Sequence, residues 1–424
     1  MLTIMNDDHQ YDCLVAGGGT AGFAAAVTAA KLGLKTLLIE ENGYLGGTAT
    51  GAQISQLMGF AGGEAELPKK GILKDVLEAL MKLHGSNGIE TIYLCGDKDL
   101  DVPVIPYDSE ILKKVMEDLV WESGAEVLFH TRIIASETKN GRIEALIIHN
   151  EEGLQRIQAP IVIDATFHGS VAAGAGCRWK AGDDSGTLQP GTLMFKMDGV
   201  DGERYDQVSQ PERERLALQG IARGCLFVNT LLARPLPNGL YYFNMSRTKI
   251  NPLDTRQWSR AEHESREQVF KISRFFIENV PGFEHAHLVA AGEFTGLRDS
   301  RRIMGKYVLK NEDVLESRDF DDGVVKSSYP IDVHDADGVS SKIVRPKKGI
   351  FWIPYRSMVT DEAANLILAG RCISTEYEAH ACSRVMITCM RLGEAAGLAA
   401  ALSREQGIQP AELDGRKLKK VLQP

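Results

Sequence analysis

Gly17, Gly19 and Gly22 stand at the spacing G-x-G-x-x-G, and an acid, Glu40, with Glu41 beside it, follows after a second apolar run. Each glycine at this spacing has a physical task. The first permits a tight turn, the second lets backbone approach a pyrophosphate, and the third lets helix and strand touch. The pyrophosphate would sit on the N–H groups and positive dipole end of the following helix. Glu40 ends the second strand, where a carboxylate accepts hydrogen bonds from ribose hydroxyls. The alternative is a glycine-rich structural turn. Arg298 is an always-charged, bidentate donor suited to a carboxylate or a developing oxyanion, or to a structural ion pair with Asp299 or Glu293. His334 and His380 are candidate proton carriers, because imidazole titrates near neutral pH, although lone histidines more often serve structure. His168 is a third. Arg384 either touches a ligand or pairs with Glu376 or Glu378, while Arg301 and Arg302 read as surface or structural residues.

These groups need elements to hold them. Residues 13–16 read as a buried strand, the small residues 21–30 as a helix packed close to a sheet, and 36–39 as a second strand. Strand, glycines, helix, strand and acid therefore fall in the order a dinucleotide site requires. Gly46 and Gly47 follow in a loop whose backbone can pass close to a ligand, with hydroxyls at Thr48 and Thr50. Residues 72–84 and 109–123 carry helical apolar stripes ended by Gly85 and Gly124. The strand 125–131 comes next, and backbone just after it, near Ile133, can meet an adenine edge. Segment 85–106 reads equally as a hairpin or as an insertion near the cofactor. Strands are expected at 143–149, 154–159 and 161–165, the last running into a small-residue turn. From 186 to 345 the texture changes: strands at 192–197 and 234–244, helices at 212–222 and 261–279. This reads as a second domain inserted into the first. Dinucleotide-fold texture returns at the strand 365–372 and a helix from about 384 to 402, started by Cys382 and Ser383, whose Gly393 and Gly397 permit close packing on the sheet.

The chain has 424 residues, too many for one ordinary core, and two or three domains are expected. Its net charge of -9 gives no electrostatic case for nucleic acid or acidic membrane as partners. The first ten residues lack a basic segment followed by an apolar core, and no apolar run is long enough to span a bilayer. The seven cysteines are scattered with no C-x-x-C, which argues against a redox disulfide, an iron–sulfur cluster, or a zinc or other metal site. Reduced core thiols in a cytoplasmic protein are expected, with packing roles for Cys372, Cys382 and Cys389.

Four further stretches carry a resemblance. They are GLRDSRRIMG at 296–305, YPIDVH at 329–334, NLILAGRCIS at 365–374, and EAHACSRVMITCMRLGEAAG at 378–397. Together with 11–41 they resemble the FAD-dependent oxidoreductases of the glutathione-reductase-like, two-domain flavoprotein superfamily. The resemblance implies an α/β fold: an FAD-binding Rossmann-type domain in two parts, 1–185 and 346–424, with an inserted α+β substrate domain at 186–345. It implies FAD as cofactor. Gly17, Gly19, Thr20, Ala21 and Gly22 would bind the pyrophosphate, Glu40 the adenosine ribose, and Gly47 and Thr48 the ribityl and phosphate path. Ala165 and Thr166 match a turn near the adenosine side, and Gly370 and Arg371 the C-terminal flavin strand. Val385 and Met386 match the helix start whose N–H groups face the flavin pyrimidine, where reduced flavin carries negative charge. Many relatives have Asp-Ala-Thr-Gly-Asp-Gly where this chain has DATFHG, so Phe167 and His168 replace a glycine and an acid. The iron–sulfur cysteines of heterodisulfide reductase A subunits are missing here.

The resemblance implies hydride transfer between a small-molecule substrate and flavin N5, and Arg298 is by its chemistry the first candidate for anchoring that substrate. His380 gains interest from its place just before the flavin-facing helix. One dinucleotide fingerprint argues against a built-in NAD(P)H domain, so the electron donor or acceptor is external, and an oligomer is compatible with the sequence. The alternatives are a synthase or lyase holding a nucleotide adduct on the same fold, and a non-catalytic FAD-binding subunit of a larger redox complex.

Overall fold

The strand Cys13–Ala16 is buried at all four positions, a state that requires paired neighbours on both edges and cover on both faces. The computed structural model, which describes residues 4–7, 9–62, 70–94, 100–335 and 339–422, supplies both. The sheet is five-stranded in the order Leu366–Leu368, Ile161–Asp164, Cys13–Ala16, Thr36–Ile39, Glu126–Leu128, and all neighbours run parallel. The ends of these strands are level. Asp164 stands opposite both Ala16 and Leu368, and Ile39 opposite both Ala16 and Leu128. The turns that follow therefore leave the sheet at one edge, its carboxyl end, where open α/β sheets bind ligands.

Helix Thr20–Lys31 covers the sheet and is itself covered by helix Met386–Gln406. A Cβ on Gly393 would lie 2.0 Å from the Ala21 carbonyl oxygen, and one on Gly397 2.6 Å from that of Ala25. The close packing expected at these glycines is therefore helix on helix, not helix on sheet. A period in sequence marks a face but does not name its neighbour. The helix expected over 384–402 is Met386–Gln406, and a short helix that was not expected, Tyr377–Ser383, precedes it across a break bent by 89°. Cys382 and Ser383 thus end one helix and do not start the next, which Val385 caps with extended backbone.

Segment 85–106 contains an antiparallel pair, Glu90–Tyr93 with Asp101–Pro106, and the latter strand also pairs with Gln56–Met58. Residues 95–99, with Cys95, lie outside the described residues. Arg132–Lys139, Arg142–Asn150 and Gly153–Ile157 form an antiparallel sheet with Ile4–Asn6 at its edge.

A second core gathers around Phe195, Phe243, Phe276 and Phe283. Phe195 stacks on Phe243 at 4.5 Å between centroids, and Phe276 meets Phe283 edge-on at 5.0 Å. Such pairs add about 0.5–1.5 kcal/mol each beyond burial. Its sheet has the order Ala233–Pro235, Tyr241–Phe243, Phe195–Asp198, His287–Ala291, all antiparallel. The single strand expected over 234–244 is a hairpin, because Pro237, Asn238 and Gly239 turn the chain. Helix Thr255–Asn279 starts earlier than expected because the Asp254 side chain accepts from the N–H groups of Arg256 and Gln257. Ile303, Val325, Ile331 and Ile353 pack into the first core and not the second. No single helix among the described residues is long and apolar enough to cross a membrane.

Candidate functional site

The three glycines of the fingerprint do three different things. Gly17 has φ +88°, a conformation that other residues rarely adopt, and a Cβ there would meet the Ala165 carbonyl oxygen at 3.0 Å. Gly22 needs contact: a Cβ would fall 1.7 Å from the Gly17 carbonyl oxygen. Gly19 has ordinary extended backbone and caps helix Thr20–Lys31 without any side-chain bond. A Cβ on it would meet nothing within 4 Å, and it lines a cavity of about 510 Å³. Glycine at 19 therefore keeps space open for a ligand at the helix N-terminus.

The second glycine loop lies against the first. The Gly46 N–H donates to the Gly18 carbonyl at 2.8 Å, and a Cβ on Gly47 would sit 3.2 Å from the Gly19 Cα. Glu40 Oε2 accepts from the Gly18 N–H at 2.6 Å, and Oε1 accepts from the Asn42 backbone and side chain at 2.8 and 2.6 Å. Burial pushes this carboxyl up, while the donors from Asn42 and Gly18 pull against it. Glu40 thus locks the glycine turn as well as lining the cavity.

The large cavity brings together Gly17, Gly19, Thr20, Ala21, Glu40, Glu41, Gly47, Thr48, Ile133, Ala165, Thr166, Gly370, Arg371 and Met386. Fourteen of the sixteen residues expected at a cofactor are therefore on one wall or another of one space. The other two differ. Gly22 is spent on packing, and Val385 lines a smaller adjoining cavity of about 120 Å³. The starts of helices Thr20–Lys31 and Met386–Gln406 both reach the large cavity, and neither carries a side-chain cap. Two sets of open N–H groups thus surround one site. Phe167 and His168 also line it. Phe167 lies under the Arg371 guanidinium at 3.5 Å from ring centroid to carbon, and His168 bonds the Ser300 hydroxyl at 2.8 Å. Burial, then the charge of Arg371, lowers His168 to about 3, so it is neutral at physiological pH.

Arg298 and His334 line the smaller cavity only. Arg298 forms neither of the ion pairs open to it from sequence. Asp299 pairs with Arg302 at 3.0 Å, and Glu293 accepts from the Tyr44 hydroxyl at 2.7 Å. Arg298 Nη1 instead donates to the Pro190 carbonyl at 2.7 Å and the Thr192 hydroxyl at 2.8 Å. Arg384 likewise misses both its partners: Glu376 accepts from the Asn311 N–H, and Glu378 pairs with Lys342. Arg384 and Arg371 line both cavities.

The two candidate proton carriers are placed differently, His334 on the smaller cavity and His380 on neither. His380 lines neither cavity and is 1% exposed. It sits in the short helix before the 89° break, so its ring turns from the ligand space to the Arg371 carbonyl, 3.1 Å from Nε2. Burial, then Arg302, Arg384 and Arg371, holds it neutral. His334 has both ring nitrogens engaged. Arg247 Nη2 donates to Nδ1 at 3.3 Å and Ser341 Oγ lies 2.8 Å from it, which leaves the proton on Nε2, 3.4 Å from Asp332. Burial, then Arg298, lowers it to about 4. Sequence reasoning passed over Asp332 and Tyr329, which share that cavity; the Tyr329 hydroxyl donates to Asp332 at 3.1 Å. Arg301 was also undervalued, for it lines the large cavity and stacks on Trp179.

The family model described as FAD dependent oxidoreductase matches residues 12–422. Dihydrolipoyl dehydrogenase of Trypanosoma brucei brucei is 58% identical over 40 residues, 9% of this chain and 8% of that protein. Digeranylgeranylglycerophospholipid reductase of Thermoplasma volcanium is 26% identical over 159 residues, 37% and 39% of the two. The chain thus spans well under half the length of these curated relatives. Among solved structures, a flavin-dependent brominase aligns at TM-score 0.52 with 11% identity, over 98% of this chain and 83% of that one. The anhydrotetracycline hydroxylase of Streptomyces rimosus aligns at 0.51 with 13% identity, over 98% and 65%. At such identity the likeness is one of fold.

Proposed function

The chain belongs to the FAD-dependent oxidoreductase family, and from that premise we propose that it oxidises or reduces a small-molecule substrate held between the large and small cavities. Bound FAD supplies the hydride acceptor or donor. The observation that carries this reading is that Gly19 and Met386, from opposite ends of the chain, line one cavity of about 510 Å³. The space beside Gly19 suits a pyrophosphate on helix N–H groups, Glu40 suits ribose hydroxyls, and the Met386 helix start suits a negatively charged isoalloxazine edge. Arg298 and Asp332 then orient the substrate from the smaller cavity, and the neutral His334 holds Asp332 in place. Segment 186–345 contributes to this space as an inserted substrate domain on a glutathione-reductase-like fold would, since Pro252, Leu253 and Trp258 line the large cavity. An external electron donor or acceptor completes the cycle.

The test is Gly19→Val. Its ordinary backbone tolerates the side chain, which fills ligand space alone. The purified parent is expected to hold one FAD per chain, and the variant to lose FAD while keeping its circular dichroism and melting temperature. A parent without flavin that also rejects added FAD, or a variant that keeps FAD, overturns the reading.

A further inference from the structure

Three guanidinium groups, Arg298, Arg371 and Arg384, line the smaller cavity against a single carboxylate, that of Asp332. Among the described residues, none of the three stands within ion-pair distance of any acid; their partners are neutral oxygens. Arg298 donates to Pro190 O and Thr192 Oγ1, Arg371 to Leu297 O at 2.7 Å, and Arg384 to the Asp332 backbone oxygen at 3.4 Å. Arg384 Nε is buried with no partner at all. Asp332 Oδ1 is also buried and makes no hydrogen bond, and this one carboxylate offsets only part of the charge of the three guanidinium groups. Charges collected in this way repel each other unless an anion joins them. The repulsion registers on Arg298: burial first, then Arg384 and Arg247, lowers it to about 9. The start of helix Met386–Gln406 adds its positive end to the same wall.

We propose that the smaller cavity is an anion subsite that takes the carboxylate end of a small organic acid, with Arg298 as its chief ligand and Arg384 as the second. This rests on the flavin reading of the larger cavity and deepens it by naming a substrate class. The geometry separates the arginines. Arg371 and Arg384 border both cavities and so can serve cofactor and substrate together, whereas Arg298 borders the smaller one alone. A volume of about 120 Å³ lies below the usual range for whole ligands, so it fits an acid group with a few carbons. A planar carboxylate matches the guanidinium fork in a way that a neutral amide of the same size does not.

The experiment uses the FAD-loaded full chain and a matched pair of probes, propionate and propionamide, read by the shift of the visible flavin band and by calorimetry. Propionate is expected to bind saturably, and propionamide roughly 30-fold more weakly or not at all. Arg298→Met is expected to weaken propionate by roughly 30-fold with FAD content unchanged, and Arg298→Lys to restore part of the loss. Equal binding of acid and amide, no binding of propionate to the parent, or full affinity in Arg298→Met with FAD retained overturns the proposal. If Arg298→Met fails to fold, Arg384→Gln carries the same comparison, with a loss of roughly tenfold expected and full affinity overturning the proposal. If the parent takes no FAD, the flavin reading has failed by itself, and calorimetry of propionate on the cofactor-free chain still decides the anion site.

Discussion

The two cavities share the wall formed by Thr48, Leu297, Arg371, Arg384 and Met386, yet they are built from different material. The large one is organised around backbone. Its key surfaces are glycine turns, strand ends and two uncapped helix starts, with larger side chains such as Arg132, Phe167, Trp258 and Arg301 set around them. The small one takes its polar groups from side chains in distant parts of the chain, Thr192, Arg298, Tyr329, Asp332 and Arg384 among them, set among Ile54, Met58, Met194 and Val385. The pyrophosphate is the same in every FAD-binding protein, so backbone suffices to hold it. A substrate differs from enzyme to enzyme, and side chains can change without remaking the fold.

That contrast is tested hardest by one methyl group at the helix contact behind the large cavity and one in the small cavity. Gly393→Ala puts a Cβ 2.0 Å from the Ala21 carbonyl oxygen, where only backbone can yield. The helices must separate, at a cost of about 3 kcal/mol or more. Loss of folded protein, or a large fall in melting temperature with loss of FAD, is the expected result. Thr192→Val in the small cavity removes only the hydroxyl that accepts from Arg298 Nη1 and donates to the Ser246 carbonyl. It is expected to cost about 1 kcal/mol, with FAD retained. Thermal melts of the two variants side by side check the contrast, and equal losses would erase it.

The shared wall gives a finer test. Arg371 stacks on Phe167, donates to Leu297 O and borders both spaces. Arg371→Met is expected to weaken FAD and a small acid together, each by roughly tenfold. Titrations of both ligands measure this. If only one affinity falls, the cavities are independent sites that happen to touch.

The same division governs how much could be read from the residues alone. Residues 11–41 are legible because the glycines, the helix and Glu40 act through local spacing, and the fold places Gly17, Gly19 and Glu40 on one cavity. Thr166, Gly370 and Met386 come from far along the chain and were reached through motif resemblance. What was not legible depends on direction. His380 lies only a few residues before Met386, but the break at Arg384 and Val385 turns its helix by 89° and carries the ring away. Asp332 and Tyr329 stood inside the recognised YPIDVH stretch. They gain meaning only when the strand Ile331–His334 is brought to the Met386 helix start, which no periodicity reveals. Likewise Gly393 announces a close approach, but only the fold says that Ala21 is what it approaches.

The last test concerns His334, and it asks whether the small cavity is as fixed in charge as its hydrogen bonds indicate. Arg298, Arg384 and Arg247 oppose a proton on this ring, Asp332 favours one, and burial decides against it, so the group sits at about 4 when folded. In the unfolded chain an ordinary histidine titrates near 6.5. Between these values the unfolded chain binds a proton that the folded one does not, so stability is full above about pH 6.5 and falls as pH drops toward 4. His168, at about 3, adds a loss of the same sign that continues further into acid. Replacing His334 by Asn keeps a donor for Asp332 and removes the titration. The fall in stability between pH 6.5 and 4 is expected to shrink by about 1–2 kcal/mol, while stability near pH 8 changes little. His168→Asn is expected to flatten the same slope without altering affinity for a small acid, because His168 borders the large cavity alone. Denaturant melts across that pH range measure both. An unchanged slope in His334→Asn would mean that the folded protein already carries the proton there, and His334 would then regain the role of proton carrier that its residue type first suggested.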